Sequence, residues 1–443
     1  MTQSLNPETS VAVFATMPRE GFSGGRYHAL MMCAALSHHG YPVSLMTDKF
    51  PNMWAELMES FGGRVNLENL TIHINRGLSF LPNRRSQFDI TICVPDGNTV
   101  SPVFSSAITH SRVYQTSLIL LNFESPSWFN STSSASRPIE QWSRWNTVAK
   151  SADIIMSSAS LGSHYAALDY DAKPGTSFVE VAPAINSAAI RQVPKTRKIR
   201  GSIFVPTRIG GGQHKAFVSL ARVLPRVKNL RHLTIMVDSP QNDAVISLSQ
   251  TLEKRGVTVE ILTQLSESEK FLSYGKASLT LFPSTFEGFG YPPIESLAMG
   301  TPCAVRDLEV YRETCGSDLI VLPDRESEWA GTLDGALAGT AESTATAKDN
   351  MQFYRDKYSI ESMGARFESA LEHNVARRTS NINISRGWYL LAMLSIRLRF
   401  LPQRAHPTKL LQRAKRSYPS AKKLFWRAKR LLFLKLWGTA TLR

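Results

Sequence analysis

The sequence predicts an α/β chain of two doubly wound, parallel-sheet domains, and three observations carry that class. Short apolar runs alternate with helical stretches along most of the chain, the pattern of parallel strands covered by helices. At 443 residues the chain exceeds what one hydrophobic core usually supports. Residues 277–307 read as strand, glycine-rich loop, short helix and second strand. That unit aims unpaired helix N–H groups at one spot and favours a phosphate there.

In chain order, Val11 to Ala15 is the first buried strand, followed by a loop ending in Gly24-Gly25 and a helix with Tyr27, Leu30, Met31 and Ala34 at helical spacing. Val43–Met46, Leu70–Ile74, Ile90–Val94, Leu118–Asn122 and Asp153–Met156 are the next strands. Ligands of such sheets bind outside the carboxyl ends of the strands, which selects the loops holding Gly24-Gly25, Asp96 and Glu124. The glycine pair is not a G-x-G-x-x-G fingerprint, so no dinucleotide is implied. A basic, polar stretch follows Asn186, and a second set of strands begins at Ser202–Pro206 and continues with Leu233–Val237.

The second set contains the organising stretch. Leu279–Phe282 is apolar, Pro283 ends the strand because its ring cannot donate to a central ladder, and Gly288 and Gly290 flank Phe289. Pro292-Pro293 suits a first helical turn and Gly300 a helix end. Glu287 precedes the glycines and Glu295 follows them. An ionised carboxylate offers only acceptors and takes both hydroxyls of a vicinal diol, so a phosphate-binding loop between two such groups suits a nucleotide-sugar. Singly, Glu287 also reads as a solvated loop residue and Glu295 as a complement to the helix dipole. Arg208 and Lys215 flank three glycines before the next helix and can neutralise a diphosphate; solvated loop cations are the plainer reading.

E-G-F-G-Y-P-P-I-E, with Glu287 and Glu295 eight positions apart, resembles the paired-glutamate signature of retaining GT-B glycosyltransferases of family 4, the glycosyl transferases group 1. The likeness covers about residues 10–374 and is strongest over 257–322. It implies two Rossmann-like domains facing across a cleft: 1–186 for the acceptor, 187–200 as linker, 201–350 for the nucleotide-sugar, 351–374 as helices crossing back, and an extra 375–443. It further implies that Glu295 holds the donor ribose, that Glu287 holds the donor sugar's hydroxyls, and that the amides of Phe289 and Gly290 face the sugar and diphosphate. Arg208, Lys215, Gly288, Gly24 and Gly25 join them at the donor. The interval between Arg208 and Lys215 is wider than the family's usual one.

Where many relatives place a His lining the cleft, Asn122, Phe123 and Glu124 stand here, so Glu124 is the candidate to bond an acceptor hydroxyl or act as its base. The histidines read mainly as surface or core residues; His28, three positions past the glycine pair, is also able to turn toward the cleft. Gln264 stands where relatives often have Gly, and Glu313 is expected to make a structural salt bridge. The resemblance implies no metal and no other cofactor, since the nucleotide-sugar is a substrate.

Charge sets off the last segment. Seventeen Lys and Arg lie between Arg377 and Arg443 with no acid after Glu372, leaving 34 basic and 36 acidic residues in the rest. The net +15 of the chain is thus a property of its end. Leu424, Phe425, Ala428, Leu431, Leu432 and Leu436 share one helical arc with Lys423, Arg427 and Arg430 outside it, although Trp426, Phe433 and Leu434 fall off the arc. Basic, aromatic-rich helices of this kind lie on anionic membrane surfaces, so residues 385–443 are expected to hold the protein there. A solvated tail and a nucleic-acid arm are the competing readings.

The four scattered cysteines, the unremarkable N-terminus and the lack of an 18-residue apolar run place the expected location in the cytoplasm, peripheral at the inner face of a membrane. The expected activity is transfer of a sugar from a nucleotide diphosphate to a glycan or lipid-linked acceptor in cell-surface polysaccharide or lipopolysaccharide assembly, with no nucleic acid as partner. A nucleic-acid-associated protein and a catalytically silent sugar-binding GT-B protein are the alternatives.

Overall fold

The computed structural model describes residues 8–17, 24–75, 88–97, 102–132, 137–207, 217–237, 241–339, 347, 349–372 and 396. Arg208, Lys215 and, apart from Ile396, the basic C-terminal segment lie outside these residues.

Two wholly parallel sheets form the frame. The first has seven strands, β1 (Val11–Ala15), β2 (Val43–Thr47), β3 (Leu70–Ile74), β4 (Ile90–Cys93), β5 (Ser117–Asn122), β6 (Ile154–Ser157) and β7 (Ser177–Glu180), in the order β3-β2-β1-β4-β5-β6-β7. The second has six, β8 (Ile199–Pro206), β9 (His232–Met236), β10 (Thr258–Leu262), β11 (Ala277–Phe282), β12 (Cys303–Val305) and β13 (Ile320–Val321), in the order β10-β9-β8-β11-β12-β13. The order reverses beside β1 and β4 in one sheet and beside β8 and β11 in the other. Those are the switch points at which open α/β sheets bind ligands.

Burial explains why these segments are strands. β1 and β11 are buried at every residue because helices cover both sheet faces. Along β1, Val11, Val13 and Ala15 enter one core while Ala12 and Phe14 enter the other, the two-residue period of a strand. The edge strands β3, β7 and β10 are only partly buried.

The stretch after Asn186 is not simply extended. The Asn186 side chain accepts from the Ala189 N–H at 3.0 Å and caps a short helix, Ser187–Gln192. The helix Ile360–Leu371 returns to the first domain, where Ile360, Met363, Phe367 and Leu371 join the core around the helix Gly24–His38. Tyr41 donates to Glu368 at 2.9 Å across that contact.

Gln264, just past β10, has φ +52°, a left-handed conformation that side chains other than Gly adopt at a cost. Gln264→Gly is expected to raise stability by about 0.5–1 kcal/mol, read as a higher midpoint in urea at unchanged slope.

Candidate active site at the domain junction

The glycine loop between β11 and the helix Tyr291–Ala298 is fixed from both sides. Phe286 packs into the first domain, 5.1 Å from Trp128 and 4.7 Å from Phe129 between ring centroids. Phe289 turns the other way, 5.2 Å from Tyr291 and 5.4 Å from Tyr358. Gly290 takes φ +92° at the start of the helix and lies against Tyr311, whose ring a Cβ there would approach to 2.6 Å. A Cβ on Gly288 would overlap the Phe123 carbonyl oxygen. Glycine is required at Gly288 for close approach and at Gly290 for backbone conformation as well.

Phe123 joins the three loops that sequence position alone keeps apart. Its carbonyl meets Gly288 of the second domain, and its ring lies 2.9 Å from where a Cβ of Gly25 would stand. His28 is 5.4 Å away, ring to ring. A Cβ on Gly24 would meet open space.

Glu295 sits behind the loop in a buried network. Its side chain is 5% exposed. Lys270 Nζ lies 2.7 Å from Oε1, and Tyr274 Oη donates to Oε2 at 3.1 Å. Lys270 also reaches Glu267 at 2.8 Å. The Glu267 carboxylate accepts from Tyr27 of the first domain at 2.9 Å, while its backbone N–H donates to Glu56. Burial pushes the Glu295 carboxyl above the ordinary carboxylate range, with Glu267 adding to the push and Lys270 opposing it. Burial also disfavours the Lys270 ammonium, but the two carboxylates outweigh it and hold the amine above its ordinary value. Glu287, on the open side of the glycine loop, is partly exposed and near enough to Tyr311 to raise that phenol's pKa further, beyond the larger effect of burial.

The carboxylates of the first domain are tied down. Both Glu124 oxygens are engaged by Arg137, with Nη2 donating to Oε2 at 2.7 Å and Nε paired with Oε1; Gln141 adds a bond at 3.4 Å. Burial pushes the Glu124 carboxyl above the ordinary carboxylate range, and Arg137 and Gln141 oppose that push. Asp96 accepts from Thr16 at 2.6 Å and pairs with Arg26 at 3.6 Å. Glu313 caps a helix of the other domain, accepting from the Ser160 N–H at 2.6 Å and the Leu161 N–H at 3.2 Å, rather than forming the expected salt bridge.

Among the described residues, the buried side-chain atoms with no hydrogen-bond partner include His28 Nε2, Ser125 Oγ, Thr207 Oγ1, Tyr291 Oη and Tyr311 Oη. Ser125 and Thr207 closely follow β5 and β8, while His28, Tyr291 and Tyr311 lie on the helices after β1, β11 and β12. Native interiors leave few such groups without a reason.

Solved structures share the fold. Sucrose-phosphate synthase from Thermosynechococcus elongatus superposes with a TM-score of 0.58 at 13% identity, covering 82% of this chain and 98% of that one. HepE from Anabaena, solved with UDP and glucose, gives 0.56 at 12% identity over 82% and 99%. A glycosyltransferase from Rickettsia africae gives 0.59 at 13% over 81% and 97%. The fold is GT-B. Within its second domain, residues 202–338 match the family model described as Glycosyl transferases group 1. The O-antigen chain mannosyltransferase RfbU of Salmonella typhimurium is 40% identical over 76 residues, which are 17% of this chain and 22% of that protein. A glycosyltransferase of Sulfolobus islandicus filamentous virus is 31% identical over 108 residues, 24% and 32% of the two chains. The chain thus spans between a fifth and a third of the length of the curated relatives it matches.

The matched domain carries Glu287, Gly288, Phe289, Gly290 and Glu295, while Gly24, Gly25 and Glu124 belong to the other domain. Sequence reasoning missed Lys270, Tyr274, Glu267 and Tyr27. A faint signal was present in the helix Glu267–Lys276: its capping box, Ser266 with Glu269, fixes the helix register and turns Lys270 onto the buried face.

Proposed function

We propose that the chain is a retaining glycosyltransferase that takes a sugar from a nucleotide diphosphate and passes it to a glycan or lipid-linked acceptor. The observation that carries this reading is the pairing of Glu287 and Glu295 about a glycine loop whose Gly288 and Gly290 pack closely on Phe123 and Tyr311 at a sheet switch point. The Phe289 and Gly290 amides and the N-terminus of the helix Tyr291–Ala298 receive the diphosphate, Glu295 takes the ribose hydroxyls, and Glu287 those of the sugar. Arg208 and Lys215 are assigned to the developing charge on the leaving diphosphate. Glu124, held by Arg137 at 2.7 Å, is assigned to bond an acceptor hydroxyl or act as its base. Departure of the diphosphate and attack by the acceptor on the same face keeps the anomeric configuration.

A role in cell-surface polysaccharide assembly is supported by the local likeness to RfbU, named as an O-antigen chain mannosyltransferase. The test is a thermal-shift screen of UDP-, GDP-, ADP- and dTDP-sugars against the full chain. One donor series is expected to raise Tm in a concentration-dependent way. No shift with any of them at millimolar concentration defeats the reading.

The basic tail is assigned to an anionic membrane surface. Among the described residues no helix is long and apolar enough to cross a membrane. Ile396 is 4% exposed within a core cluster, so a truncation that spares the fold must begin after it. Deleting 401–443 is expected to abolish cosedimentation with phosphatidylglycerol vesicles at low salt while leaving donor-induced stabilisation intact. Undiminished vesicle binding would remove the tail from this role.

A further inference from the structure

We propose that His28 is a sugar-binding residue, its Nε2 forming, with the first turn of the helix Gly24–His38 and the Phe123 ring, a subsite for a hydroxyl of the donor's sugar. The proposal rests on the glycosyltransferase reading and deepens it. His28 is 4% exposed and its Nε2 has no hydrogen-bond partner. Leaving a ring nitrogen dry and unpaired destabilises the fold, whereas an apolar side chain of similar size would not. The helix that carries it has fifteen residues and begins at Gly24-Gly25, so His28 stands one turn in, on the glycines' side. Its ring neighbour is Phe123, whose ring touches Gly25 and whose carbonyl touches Gly288 of the glycine loop. The His28 imidazole therefore lies against Phe123, which touches both glycine loops, not in a remote core.

The chemistry selects a hydroxyl. Burial pushes the imidazole down to about 3, so it is neutral and offers one donor or one acceptor rather than a charge. A neutral imidazole suits a hydroxyl, which both donates and accepts, better than a diphosphate, whose charge helix N–H groups and cations meet.

The test compares three full-length proteins: wild type, His28→Leu and His28→Gln. Affinities are measured for the nucleotide-sugar giving the largest shift in the screen above and for its parent nucleoside diphosphate. His28→Leu is expected to raise Tm, because the orphan nitrogen is gone, yet to weaken the nucleotide-sugar about 3- to 10-fold, the usual worth of one neutral hydrogen bond. The nucleoside diphosphate is expected to bind as in wild type. His28→Gln, which places an N–H at similar reach, is expected to recover most of the loss. Unchanged nucleotide-sugar affinity in His28→Leu overturns the proposal, as does an equal loss for both ligands with a lowered Tm, the mark of a structural histidine. Wild type failing to bind any nucleotide-sugar is a separate result and counts against the glycosyltransferase reading itself.

Discussion

Glu295→Gln is expected to lower kcat/KM for the nucleotide-sugar on the order of 100-fold, equivalent to about 3 kcal/mol for hydrogen bonds to a charged acceptor. The amide keeps the shape of the side chain but loses the charge and one acceptor, while Lys270 retains Glu267 as a partner. Near-normal turnover would remove Glu295 from the donor site. Lys270→Met probes the same carboxylate from behind. Around Glu295 stand Lys270, Glu267 and Tyr274 on one helix, Tyr291 on its own helix and Tyr27 from the first domain. Lys270 is the only cation among these groups. Burial and Glu267 raise the Glu295 pKa and Lys270 lowers it, so removing the ammonium raises it further. A raised carboxyl pKa means protonation at higher pH and loss of the anionic acceptor as pH falls. Donor affinity in Lys270→Met is thus expected to be poor at about pH 6 and to improve as pH is raised, more steeply than in wild type. Parallel profiles would show that Lys270 does not govern the charge on Glu295.

Gly288→Ala carries the second large effect. Its new methyl would fall on the Phe123 carbonyl oxygen, a clash of backbone with backbone that no side-chain rotation relieves. Overpacking of this kind costs about 1–3 kcal/mol, and here it pushes the glycine loop away from the first domain. We expect a lower Tm together with at least about a 10-fold fall in kcat/KM. Gly331→Ala is the control: it lies in the helix Trp329–Ala338 with open space around its Cβ position and should be neutral or stabilise by up to about 1 kcal/mol. An equal, small effect in both variants would mean that the approach of Gly288 to Phe123 is unimportant.

The central strands were legible because burial on both faces turns them into unbroken apolar runs, as in V-A-V-F-A of β1 and A-S-L-T-L-F of β11. S-F-V-E of β7 and the two residues of β13 were not, since four and two partly exposed residues make no such run, although the equally exposed L-T-I-H-I of β3 was read. The glycine loop and Glu295 could be read because their meaning is local, fixed within a dozen residues. The network behind Glu295 could not: Tyr27 and Glu267 are 240 positions apart, and no pattern in either segment names the other. Arg137, the partner of Glu124, was missed likewise: it stands 13 positions on and no pattern in the sequence joins the two. Gln264 is an instructive middle case, where the resemblance marked a glycine position and the backbone there is indeed left-handed.

The return of the helix Ile360–Leu371 to the helix Gly24–His38 means that the first half of this protein is not a contiguous piece of chain. A fragment stopping near residue 200 would leave the first core open along Ile360, Met363, Phe367 and Leu371, and its complement would bear a sticky, unmated helix. Expressed apart, the halves should be insoluble; mixed during refolding they should rescue one another. A circular permutant that joins 349–372 directly ahead of Glu8 would make the first half self-sufficient.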